Sequence, residues 1–134
     1  MTKIEHIGIA VKSLKESVPL YEALLNTSMY KTEAVNSENV VTAFFRKGES
    51  KIELLESSDS EGVIAKFIER KGEGIHHIAF EVENIHEEMK RLESLGFVLL
   101  NAEPKPGADN KLVCFLHPRT TGGVLVELCM EIKP

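Results

Sequence analysis

Apolar positions alternate at Ile7, Ile9 and Val11, the period of a half-buried strand. From Ser13 to Leu25 the period lengthens. Leu14, Val18, Tyr21 and Leu24 recur at intervals of three and four, which predicts an amphipathic helix. Ser13, with Glu16 three positions on, reads as its capping box. Asn26-Thr27-Ser28 breaks the helix. Met29 to Val35 and Val40 to Arg46 follow as strands, joined through a polar turn at Asn36 to Asn39. Gly48-Glu49-Ser50 then turns the chain into a strand carrying Glu53. This half reads β-α-β-β-β.

The pattern then recurs. Gly74-Ile75-His76-His77-Ile78-Ala79-Phe80-Glu81-Val82 is a close copy of the opening Glu5-His6-Ile7-Gly8-Ile9-Ala10-Val11, with His6 and His77 in the same place 71 positions apart. Ile85, Met89, Leu92 and Leu95 repeat the helical spacing, with Asn84 and Glu87 as the capping pair. Phe97 to Asn101, Leu112 to Leu116 and Val124 to Met130 are the expected strands. The loop from Ala102 to Asn110 holds Pro104, Pro106 and Gly107, which argue against regular structure. Ser57 to Gly62 is a polar link, and Val63 to Lys71 reads as a short connecting helix. Two copies of one unit predict a pseudo-symmetric α+β domain over 1–134 rather than a solenoid. Its first module covers about 1–57, a linker helix about 58–73, and the second module about 74–134.

Composition narrows the function. With 134 residues, 43% hydrophobic and 28% charged, the chain is long enough for a core of its own. A net charge of -5 argues against general nucleic-acid binding. No apolar run approaches the length of a membrane span and no leader is readable. Cys114 and Cys129 sit in apolar strand-like runs without a spacing motif, so free buried thiols and a cytoplasmic location are expected. A mitochondrial location after loss of a presequence stays open.

Four residues occupy repeat-equivalent strand positions: His6 and Glu53, then His77 and Glu127. Side chains alternate along a strand, so each points away from its immediate neighbours. Taken singly, a His heading a strand is most often a hydrogen-bonded residue, and a Glu in a hairpin strand most often faces solvent. Recurrence of the same types among apolar neighbours favours a shared role. Two imidazoles and two carboxylates suit a divalent first-row metal, whereas a structural zinc site more often uses cysteine. His76 is expected to face away from His77, His86 to lie on a helix surface, and His117 to belong to a turn. Lys105, Lys111 and Arg119 fall on the second-half loops. They read either as solubilising charges or as a rim for an anionic substrate.

These segments resemble the vicinal oxygen chelate superfamily, the glyoxalase, bleomycin-resistance and dioxygenase group, and within it the methylmalonyl-CoA epimerase family. His6 to Val11, Lys51-Ile52-Glu53-Leu54-Leu55-Glu56, Gly74 to Ala79, Phe115-Leu116-His117-Pro118 and Gly122 to Leu128 carry the resemblance. It implies tandem βαβββ modules forming a curved mixed sheet around a metal held by His6, His77, Glu127 and Glu53. The ion implied is cobalt, manganese, nickel or zinc. It also implies interconversion of (R)- and (S)-methylmalonyl-CoA by α-proton abstraction. A divalent cation would stabilise the enolate, with Glu53 and Glu127 as candidate catalytic carboxylates. Some members carry a catalytic Glu on the third strand, where Val41 and Thr42 stand here. The alternatives are a glyoxalase I-type isomerase acting on a thiol adduct, and a non-catalytic small-molecule-binding module. Other implications are a homodimer and a place in propionate metabolism, in sequence with methylmalonyl-CoA mutase and without a stable complex. Neither nucleic acid nor membrane is an expected partner.

Overall fold

The protein is described from a computed structural model, which covers residues 1–133. The chain forms two compact units, His6–His76 and Met1–Glu5 with the residues from His77 onward. Both are mixed α+β. The first strand, β1 (Lys3–Ala10), begins in the latter unit and continues in the former. The Thr2 amide donates to the Glu81 carbonyl at 2.9 Å, tying the opening residues to the second-half unit.

In the His6–His76 unit, β1 leads into α1 (Leu14–Leu25). The strands β2 (Lys31–Val35), β3 (Val40–Lys47) and β4 (Ser50–Ser57) follow, then α2 (Val63–Lys71). The strand order is β2-β3-β4-β1; β1 and β4 run parallel and the remaining pairs antiparallel. The Ser13 hydroxyl accepts from the Glu16 amide, as the capping box requires, and Asn26 closes α1 in the left-handed region. One face of the sheet packs Ala43, Phe45 and Leu54 under Leu14, Val18, Tyr21 and Leu25 of α1. The apolar stripe therefore ends on Leu25. Leu24, expected inside, is 69% exposed, because a step of four from Tyr21 stays on the buried face better than a step of three. Phe45 is fully buried, and truncation to Ala is expected to cost about 3–5 kcal/mol. On the other face, Ile64, Phe67 and Ile68 of α2 cover Ala10, Val40 and Leu55. Gly62 at the α2 N-cap sits in a crowded place: a Cβ there would lie 2.7 Å from the Ser57 hydroxyl and 3.2 Å from the Asp59 carbonyl, so a larger residue needs its neighbours to shift.

The second unit repeats the scheme with β5 (Gly74–Glu81), whose first three residues belong to the His6–His76 unit, α3 (Ile85–Ser94), β6 (Lys105–Gly107), β7 (Lys111–Leu116) and β8 (Val126–Glu131). The order β5-β8-β7-β6 again has its first pair parallel and the others antiparallel. Asn84 caps α3 by accepting from the Glu87 amide at 3.1 Å. Ile85, Met89 and Leu92 pack on Cys114, Leu116 and Leu128. Leu95, expected in that stripe, follows the last helical residue and is 64% exposed.

Two expectations are corrected here. Residues 97–101 do not form a strand; they make a single bridge, Leu99 to Leu116, flanked by backbone bonds from Leu100 to Phe115 and from His117 to Val98. The second strand of this half lies instead in the loop, at Lys105–Gly107. Pro106 is tolerated because β6 is paired on one side only, so its missing N–H leaves no ladder bond unmade.

Candidate functional site

Strand register sets the site. Gly8 lies directly opposite Glu53 in the parallel β1–β4 pair, so His6, two residues earlier, shares a face with Glu53. Their side chains meet at 3.2 Å, His6 Nδ1 to Glu53 Oε2, and both are buried. The second unit builds the same arrangement. Ala79 lies opposite Glu127, and His77 Nε2 stands 3.2 Å from Glu127 Oε1, again buried. The structure thus brings the predicted residues together as two pairs, His6 with Glu53 and His77 with Glu127.

The neighbours repeat as well. Each acid has a small residue on one flanking strand, Gly8 or Ala79, and a phenylalanine on the other, Phe44 or Phe115. Register puts the small residue, the ring and the acid on one face of the sheet. The His77 and Phe115 rings meet edge to face, with centroids 5.8 Å apart. Burying an imidazole–carboxylate pair in an apolar setting is a poor source of stability, because desolvation offsets the attraction. Two such pairs at matching positions therefore point to chemistry. Phe115 belongs to a segment that carries the resemblance, whereas Phe44 is not singled out in the sequence; each sits in the strand that precedes its acid strand.

The cations divide. Lys111 is buried and Lys105 half-buried. Register places both on the face of β7 and β6 that carries Phe115, Val113 and Glu127. Arg119 lies on an exposed turn, where its backbone N–H donates to His117 Nδ1 at 3.0 Å. Lys51, not singled out in the sequence, is buried on the face of His6 and Glu53. The remaining histidines behave as expected. His76 packs its ring edge-on against Phe67 at 5.0 Å, His86 is exposed on α3, and His117 opens the turn before Pro118. Thr42 is buried on the Glu53 face of β3, and neither Val41 nor Thr42 supplies an acid there. Glu33 lies opposite Thr42 on β2 and pairs with Lys31 at 3.7 Å. Both thiols are free and buried, and burial pushes the Cys114 thiol above its ordinary value. A cleft of about 370 Å³ lined by Val11, Lys12, Ser57 and Ile68 contains none of the predicted site residues. No helix among the described residues is long and apolar enough to cross a membrane.

Comparison with known proteins places the chain in a family. Residues 5–115 match the model of the Glyoxalase/Bleomycin resistance protein/Dioxygenase superfamily. The Ethylmalonyl-CoA/methylmalonyl-CoA epimerase of Cereibacter sphaeroides is 38% identical over 128 residues, covering 94% of this chain and 96% of that protein. The mitochondrial methylmalonyl-CoA epimerase of Dictyostelium discoideum is 38% identical over 129 residues, covering 94% and 76%. A solved structure of a Streptomyces coelicolor methylmalonyl-CoA epimerase variant in complex with 2-nitronate-propionyl-CoA superposes with a TM-score of 0.93 at 30% identity, covering 99% of both chains. The chain belongs to the Glyoxalase/Bleomycin resistance protein/Dioxygenase superfamily and, within it, to the enzyme family of the methylmalonyl-CoA epimerases.

Proposed function

We propose that the chain interconverts (R)- and (S)-methylmalonyl-CoA, and that His6, Glu53, His77 and Glu127 together hold a divalent ion at the reacting centre. The observation that carries the reading is the matched, buried His–Glu pair in each unit, at 3.2 Å in both. Two nitrogen and two carboxylate donors fit cobalt, manganese, nickel or zinc. When bound, such an ion supplies Lewis acidity that offsets negative charge gathering on the thioester oxygen.

The chain's own residues move the proton. One carboxylate, assigned to Glu53, takes the α-proton, and the C–H electrons pass into the thioester as an enolate. The planar carbon is then reprotonated on the opposite face from Glu127, whose carboxyl would ligate the ion through one oxygen and carry the proton on the other, giving the other configuration. Reaction from the opposite enantiomer runs the same two transfers in reverse. Glu53 takes the base role first, because Glu127 matches the ligand position of the family motif. Phe44 and Phe115 beside the two acids keep water from competing for the proton. Lys105 and Lys111, on the Glu127 face, are assigned to the anionic substrate, with Arg119 at the outer rim.

We further assign the two units to one functional domain, a two-fold homodimer in solution and a cytoplasmic location. The chain would act in sequence with methylmalonyl-CoA mutase, without a stable complex. The deciding experiment is turnover of (S)- to (R)-methylmalonyl-CoA by purified protein, before and after chelator. Activity lost to chelator and restored by added metal is expected. No turnover with any of the four metals, or turnover of a glutathione hemithioacetal instead, overturns the reading.

A further inference from the structure

We propose that Lys51 is a further substrate-binding residue: it receives the free carboxylate of the acyl group and makes the site selective for acyl-CoA thioesters that bear one. The proposal rests on the function proposed above. Lys51 lies directly opposite His6 in the β1–β4 register and two residues before Glu53, so all three share a face. It is only 6% exposed. Its neighbour across the β3–β4 ladder, Arg46, is exposed and lies over the Tyr30 ring, 5.1 Å from its centroid. Of two adjacent cations on one face, one is turned outward onto an aromatic ring and the other is kept inside.

A buried ammonium is held only among anionic or polar partners. Lysine is suited to exchanging them, since its charge is a compact point on a flexible four-carbon stem with three donors. The proposed substrate carries its carboxylate on the same carbon that loses the proton. A cation at that carboxylate fixes which way the acyl group lies. It also offsets the crowding of negative charge as the proton leaves. A thioester without the carboxylate gains neither effect.

The test is calorimetric binding of malonyl-CoA and propionyl-CoA to metal-loaded wild type, K51M, K51R and R46M, with bound metal measured in each. Wild type is expected to prefer malonyl-CoA. K51M should lose about 10- to 100-fold of its malonyl-CoA affinity while propionyl-CoA changes by less than about twofold. K51R should retain most of the preference, and R46M all of it. Equal losses for both thioesters, an unchanged preference in K51M, or the same shift in R46M overturns the assignment. If K51M does not fold, K51Q carries the same comparison. A wild type that epimerises methylmalonyl-CoA beside a K51M with intact preference removes Lys51 alone. A wild type with no epimerase activity removes the functional reading beneath it.

Discussion

Substituting Glu53 by Gln separates its two assigned roles. The side chain is buried, lies between Gly8 and Phe44 on the flanking strands, and stands 3.2 Å from His6 Nδ1. Glutamine has the same shape and opens no cavity. Its amide oxygen still accepts a hydrogen bond or ligates a cation, but it does not take up a proton at neutral pH. Positioned general bases contribute about 10²- to 10⁴-fold. Loss of a base therefore raises the barrier by about 2.7–5.4 kcal/mol at 1.36 kcal/mol per decade. A residue that only ligates through oxygen should lose less than about tenfold on this swap. The assay is epimerisation of methylmalonyl-CoA by E53Q with its metal content verified, alongside exchange of the α-proton for solvent deuterium from each enantiomer. The expected result is intact metal, turnover down by about a hundredfold or more, and exchange surviving from one enantiomer through the opposite-face group. Near-normal epimerisation by metal-loaded E53Q would refute the base assignment and leave Glu127 or another group to take the proton.

Three further outcomes follow from named contacts. H6A and H77A should each lose bound metal and turnover while keeping native circular dichroism. H76A, whose ring packs on Phe67, should keep its metal; full activity in H6A or H77A removes the ligand assignment. S13A and N84A each remove a helix N-cap bond, and each should lower stability by about 1 kcal/mol in urea titrations; a change within error would show that the cap is replaced by solvent. The Arg91 guanidinium, hydrogen-bonded to Glu88, holds that carboxyl below its ordinary value of 4.5. A depressed folded-state value stabilises the fold above the unfolded value, and that contribution is lost as pH falls through the folded one. R91A should therefore unfold more easily than wild type at pH 7, and the gap should close in acid. A constant gap across that range assigns the effect to lost packing.

Much of the local structure follows from the sequence by itself. Alternation at Ile7, Ile9 and Val11 specifies a strand, the Ser13–Glu16 and Asn84–Glu87 spacings specify where helices start, and the repeated His and Glu positions mark the candidate site. These signals are readable because each depends on residues a few positions apart, within one turn or one pleat. Contacts between distant segments are different. Leu24 and Leu25 are equally apolar, and only the position of Phe45 and Leu54 beneath α1 selects Leu25. Lys105–Gly107 pairs as a strand despite Pro106, because an edge asks for hydrogen bonds on one side only. The same holds at the site. His6 and Glu53 are 47 positions apart, and a shift of one residue in the β1–β4 register would have sent Glu53 to the face packed against α1. That register, set by how apolar side chains of remote strands pack, also puts the buried Lys51 on the face of His6.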